Sequence, residues 1–247
     1  MLQRWRIPAA GAGAALLGGI AVLALTRPDP QEDKPAVGLF TSLPIYWAES
    51  ESIAETLNSR ASPHWVRTAL GVDYRLIPLD TVETAELGGL GHLVMAQPRP
   101  LAPAENVSLD SWVRQGGRLL LFADPMLTEH SRFMLGDKRR PQDVVLLSPI
   151  LRRWGLQLEF DEDQPDLERN VPFRGGPLPV RLAGTFRQIL SESEVDCQLD
   201  GEEVIARCAI GKGRVVVIAD AALLNGDRDL GLGMPALDRL LSATFAD

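Results

Sequence analysis

Two stretches of this chain are near copies of each other. Gly117-Arg118-Leu119-Leu120-Leu121-Phe122-Ala123-Asp124 and Gly213-Arg214-Val215-Val216-Val217-Ile218-Ala219-Asp220 both open on Gly-Arg, run through unbroken apolar residues and close on Ala-Asp. An apolar run without alternation cannot leave one face wet. It suits a central strand covered above and below, as in a parallel sheet flanked by helices. With 247 residues and 45% hydrophobic content, the chain can bury the core such a sheet needs.

Charge narrows the partners. A net charge of −8 argues against nucleic acid, whose phosphates demand a basic surface. Lys138-Arg139-Arg140 is a local basic spot and reads as a solvated loop. The amino terminus differs in kind. Arg4 and Arg6 precede a stretch, 7–26, without a charged residue. That is about the length a helix needs to cross a bilayer. A single-pass signal-anchor is the reading that fits best. A cleaved signal peptide and a buried soluble helix are the alternatives. The arginines ahead of the stretch, and Asp29, Glu32 and Asp33 after it, keep the short amino terminus in the cytoplasm and export the rest. In a bacterium this is the inner membrane, with residues 7–26 in the lipid bilayer and the domain in the periplasm. The expected division is 1–26 anchor, 27–35 linker and 36–247 one α/β domain.

Further along, short strands are expected at 36–40, 72–79 and 91–96, and helices at 49–58 and 103–115. The first near copy follows, then a polar excursion to 143 and a helix from Ser148-Pro149 ending at Gly155. Residues 161–179 read as a long loop. From 180 to 210 the pattern is that of antiparallel strands, leading into the second near copy and a last helix after Pro235. Cys197 and Cys208 flank Asp200-Gly201, a hairpin turn signal. They can bridge in an oxidising compartment, or fill a strand as two small apolar residues. The fold class is therefore α/β: an open, mostly parallel sheet flanked by helices, flavodoxin-like or amidotransferase-like, with an antiparallel β-rich insert near 180–210.

The segment from Leu93-Val94-Met95-Ala96-Gln97-Pro98 through Leu109-Asp110-Ser111-Trp112-Val113-Arg114-Gln115 to the first near copy resembles the auxiliary, gliding-motility-type component of ABC transport systems. So does Ile210-Gly211-Lys212 with the second near copy and Asn225. The resemblance implies a membrane-tethered extracytoplasmic domain with an amidotransferase-like or flavodoxin-like sheet. Its partners would be an ABC permease and ATPase or other envelope proteins, and it would have no reaction of its own.

An amidotransferase-like sheet would carry a nucleophilic Cys on the turn after 93–96, where this chain has Gln97-Pro98-Arg99-Pro100. His64, His92 and His130 stand in unrelated settings without metal-ligand spacing, so neither metal nor cofactor is expected. What remains is geometric. Ligands of open α/β sheets sit beyond the carboxyl ends of the strands. Those ends offer Thr41, Ser42, Gln97, Arg99, Asp124 and Asp220, with Tyr46 and Trp47 close by, as a candidate ligand crevice. The expected function is a non-enzymatic, membrane-anchored accessory protein of a transport complex. A ligand-binding or sensor domain using that crevice is the alternative.

Overall fold

Each near copy forms a strand, and the two lie side by side. β4 (Arg118–Phe122) and β11 (Gly213–Ile218) pair in parallel, with Arg118 opposite Arg214 and Phe122 opposite Ile218. The computed structural model describes residues 33–50, 52, 62–191 and 194–246. The expected span at 7–26 and most of the helix expected at 49–58 lie outside them. Among the described residues no helix is long and apolar enough to cross a membrane.

The near copies sit inside a seven-stranded sheet with β1 (Ala36–Thr41), β2 (Arg75–Pro78), β3 (His92–Ala96), β9 (Val195–Asp200) and β10 (Ile205–Ile210), in the order β2-β1-β3-β4-β11-β10-β9. The first five strands of that order are parallel; β10 and β9 are antiparallel. The chain runs outward from β1 to β2, then crosses back to β3. The strand order therefore reverses between β1 and β3, which makes that gap the topological switch point.

The Gly-Arg openings have a physical explanation. A Cβ on Gly117 would lie 2.4 Å from the Trp112 ring, and one on Gly213 would lie 2.0 Å from the Val113 carbonyl oxygen. Both atoms belong to α3 (Pro103–Arg114), whose carboxyl end presses on this face of the sheet. Side chains alternate along a strand, so the next residue points to the opposite face. There Arg118 donates to the carbonyl of Phe245, and Arg214 to that of Ala246 at 2.6 Å. These carbonyls end α5 (Leu230–Phe245), where cations offset the negative end of a helix dipole. Between the two helices, Leu119–Ala123 and Val215–Val217 are fully buried.

Several expectations are corrected. The segment 72–79 is not one strand. Val72 and Asp73 end α1 (Trp65–Asp73), which buries Val66 and Leu70 and is capped by His64, whose Nδ1 accepts from the Val66 N–H at 3.2 Å. The last helix starts ahead of Pro235, at Leu230, because Asp229 caps it through the Gly231 N–H at 2.9 Å. Residues 161–179 contain a strand and most of its partner: β6 (Glu168–Phe173) pairs with β7 (Gly176–Arg181). The turn has positive φ at Arg174 (45°) and Gly175 (77°), the tight-hairpin geometry, and Val171 and Phe173 alternate inward. The insert near 180–210 is antiparallel, as expected, and divides three ways. β7 joins that hairpin, β5 (Leu156–Glu159) pairs with β8 (Thr185–Gln188), and β9 and β10 extend the main sheet. Val204 and, on β10, Ile205, Ala206, Cys208 and Ile210 pack into the same core as β11. Cys197 and Cys208 face each other across β9 and β10 and form a disulfide, with Cα atoms 4.1 Å apart.

Candidate functional site

At the switch point the carboxyl ends of β1 and β3 are tied together. Thr41 Oγ1 donates to the Ala96 carbonyl at 2.7 Å and accepts from the Leu43 N–H at 2.9 Å. Ser42 Oγ donates to the Gln97 carbonyl and accepts from the Gln142 N–H at 3.0 Å. Both hydroxyls therefore carry a donor and an acceptor bond already. Above them opens a cleft of about 510 Å³ whose lining includes Thr41, Ser42, Pro44, Tyr46 and Trp47, the apolar Pro78 and Phe133, and the charged Glu49, Asp80 and Arg139. Trp47 is 62% exposed. Its ring meets Tyr46 edge-on with centroids 4.9 Å apart. Tyr46 is fixed from behind, since the Arg67 guanidinium lies 4.3 Å over its ring and donates to its carbonyl at 2.8 Å.

Of the eight crevice candidates, Thr41, Ser42, Tyr46 and Trp47 line this cleft. The other four do not. Gln97 stands where the strand-end turn would present a reactive side chain, with φ 45°. It is fully buried, and its amide is consumed as a clasp. Nε2 donates to the Asp124 and Gln142 carbonyls at 3.0 and 2.8 Å, while Oε1 accepts from the Asp124 N–H at 2.9 Å. Arg99 is drawn away by Glu105, which it meets through both terminal nitrogens at 2.8 and 2.7 Å. Glu105 is buried. Arg99, above all, holds its carboxyl at about pKa 2, helped by the Thr81 hydroxyl and the Ala102 and Val82 N–H groups. Sequence reasoning missed Glu105. The signal was its place three residues after Ala102 in the first turn of α3, where a carboxylate reaches back to the capping N–H.

Asp124 and Asp220 end the two near copies and are buried beside each other. Asp124 accepts from the Met126 and Ala221 N–H groups at 2.8 and 3.1 Å, and Asp220 from those of Ala222 and Arg181 at 2.6 and 2.8 Å. Each thus closes a turn two residues ahead and makes one longer link. Burial pushes the Asp124 carboxyl up to about 7. Burial, and then the Asp124 charge, raise Asp220 well above the carboxylate range, against the pull of Arg228. Outside the cleft, burial lowers the His64 pKa and raises that of Glu129, whose Oε2 accepts from the Gly226 N–H at 3.4 Å. Among the described residues no group of His, Cys, Asp and Glu could hold a metal ion.

Residues 59–230 match a family described as a domain of unknown function, DUF4350. The chain belongs to that family. No curated protein matches this DUF4350 chain. It is similar to an exo-β-1,4-mannosidase from Opitutaceae bacterium strain TAV5, at 14% identity and TM-score 0.48 over 93% of this chain and 36% of that one. It spans about a third of the length of the first solved structures it matches, 36%, 31% and 30%. A ThuA-like protein from Bacteroides uniformis aligns at 12% identity and TM-score 0.42, over 89% of this chain and 94% of that one. A cytoplasmic protein from Salmonella typhimurium aligns at 10% identity and TM-score 0.45, over 85% and 98%. None of these likenesses bears on what the DUF4350 domain binds.

Proposed function

We propose that this DUF4350 protein is a non-enzymatic, membrane-anchored accessory component of an ABC-type envelope transport complex. It works by contact, and the cleft beside Trp47 is the contact site. The observation that carries the contact reading is the exposed Trp47 ring held against a fixed Tyr46 at the mouth of the 510 Å³ cleft. A rigid aromatic anchor on a concave surface is the usual centre of a binding hot spot. The nearby hydroxyls are committed to backbone, and the strand-end turn carries a structural amide, so the cleft walls recognise rather than react. Anchoring is supported by the uncharged stretch 7–26 behind Arg4 and Arg6. Placement outside the cytoplasm is supported by the Cys197–Cys208 bridge. The transporter link rests on the resemblance of residues 93–125 and 210–220.

A photoreactive residue in place of Pro44, in the full chain in native membranes, tests this. The expected product is a crosslink to an ABC permease. A crosslink to no permease, with the same probe active at exposed Val107, contradicts it. The second reading is a polar small ligand in the same cleft, favoured by a volume within the ordinary range for ligand pockets. It predicts instead a compound that raises the Tm of the full chain and whose effect disappears in Trp47→Ala.

A further inference from the structure

A second hollow, of about 300 Å³, shares no residue with the Trp47 cleft. Strand register builds its floor. Asp196, Ala209 and Arg214 stand opposite one another across β9, β10 and β11, and Gln198 and Arg207 form the next row on the same face. Ala209 is exposed although its strand is paired on both sides, because its methyl is too short to fill the space between its longer neighbours. The end of α5 supplies Ser242 to the wall, and the β6–β7 turn supplies Arg174. Arg174 has φ 45°, at a turn position that ordinarily takes Asn, Asp or Gly.

The polar side chains around this hollow are nearly all donors. Arg174 has no hydrogen-bond or ion-pair partner among the described residues. Arg207 gives Nε to Asp200 at 2.5 Å and Nη2 to Gln198 Oε1 at 3.0 Å, which leaves its Nη1 and the Gln198 amide N–H groups. Arg214 gives Nη1 to the Ala243 and Ala246 carbonyls at the end of α5, which leaves Nε and Nη2. Three guanidiniums from three elements thus meet two carboxylates, Asp196 and Asp200, in a chain whose net charge is −8. A surplus of donors around a hollow selects an acceptor-rich anion, and guanidinium forks match the oxygens of carboxylate, sulfate and phosphate. Asp196 narrows the choice. It is the only carboxylate on the lining, and it bonds no described residue. An ionised carboxylate can only accept, so an anion seated beside it must bring a hydrogen of its own. A phosphate that keeps a proton does so; sulfate and carboxylate, fully ionised near neutral pH, do not. We infer that this hollow binds a protonated phosphate group, free or as a monoester. The arginines meet its oxygens, and its P–OH donates to Asp196.

Calorimetry of the full chain in detergent micelles tests this at about pH 6, where phosphate monoesters keep part of their second proton. Inorganic phosphate is expected to bind saturably, and at least about tenfold more tightly than sulfate at equal ionic strength. Arg174→Gln should weaken phosphate binding about tenfold. Arg174 and Asp196 are exposed, so variants at either position are expected to fold, and unchanged Tm values verify it. Asp196→Asn, whose amide donates as well as accepts, should bring sulfate to within about threefold of phosphate. Glycerol phosphate that displaces inorganic phosphate would place the group on a larger molecule, and failure to displace it would make the occupant free phosphate; both results support the site. No saturable binding at millimolar phosphate, equal affinity for sulfate and phosphate in the wild type, or phosphate binding indifferent to Arg174→Gln overturns the inference. The Pro44 crosslink depends on none of these outcomes, so the contact reading stands or falls separately.

Discussion

The carboxyl ends of β1 and β3 are built differently from those of β4 and β11. At β4 and β11 the chain closes over itself. Asp124 and Asp220 sink into the core, take four backbone N–H groups between them, and leave nothing for a ligand. At β1 and β3 the hydroxyls tie the strand ends down and the chain then moves aside, leaving a cleft with an exposed Trp47. Both ends carry polar residues in a similar place. What separates them is burial: a carboxylate that cannot reach water must find partners inside, whereas a tryptophan at a rim can wait for one. Crossover topology decides which end opens, because only between β1 and β3 do the following loops diverge.

Four substitutions or conditions would break or sharpen this contrast. The largest effect is expected at the closed end. Gly213→Val places a side chain where even a Cβ would lie 2.0 Å from the Val113 carbonyl. The expected loss is about 4 kcal/mol in urea unfolding, or failure to fold. A cost under about 1 kcal/mol would mean that α3 does not press on this strand.

Gln97→Ala comes next. It leaves the Asp124 N–H and the Asp124 and Gln142 carbonyls without their clasp. A loss of about 2–4 kcal/mol is expected. A neutral result would show that the turn holds without its amide.

The third effect is the pH dependence of the aspartate pair. Its carboxyls titrate higher in the folded chain than in the unfolded one, where the reference is 3.8, and Asp124 reaches about 7. Between those values the folded state holds protons that the unfolded state has released. The pair's contribution is therefore fully present below pH 3.8 and is lost as pH rises through about 7. The slope is at most about 1.4 kcal/mol per pH unit for each proton. Glu129, also raised, acts in the same direction; His64, lowered, opposes it below its reference of 6.5. Chemical denaturation from pH 5 to 8 should show falling stability in the wild type and a flatter curve in Asp220→Asn. Equal slopes would remove the pair from the account.

The smallest effect belongs to the open end. Trp47→Ala should change stability by no more than about 0.5 kcal/mol, because the ring is mostly exposed and Tyr46, which it meets, is also held by Arg67. A drop of several kcal/mol would make it a core residue and close the cleft as a site.

Much of the closed region was legible in the sequence, because strand burial on both faces leaves an uninterrupted apolar signature. Gly117, Arg118, Gly213 and Arg214 announced a shared environment, although only coordinates reveal that α3 demands the glycines and α5 the arginines. The crevice was half legible. Strand ends locate Thr41 and Ser42, and Tyr46 and Trp47 follow them closely in the chain. Gln97, Arg99, Asp124 and Asp220 satisfy the same positional rule, yet their roles depend on partners far along the chain: Gln142, Glu105, Ala221 and Arg181. The β6–β7 hairpin was masked by its prolines and charges: Glu168, Arg169, Pro172 and Pro177 are exposed, Pro179 is buried, and Val171, Phe173, Leu178 and Val180 carry the packing.

Hydrogen exchange on the full chain tests the contrast most directly. The Ala221 and Ala222 amides, bonded to the buried carboxylates, should exchange only through global unfolding, while those of Tyr46–Ala48 exchange through local opening. Rapid exchange at Ala221 and Ala222, or equal protection at the two ends, would contradict a closed aspartate end beside an open tryptophan cleft.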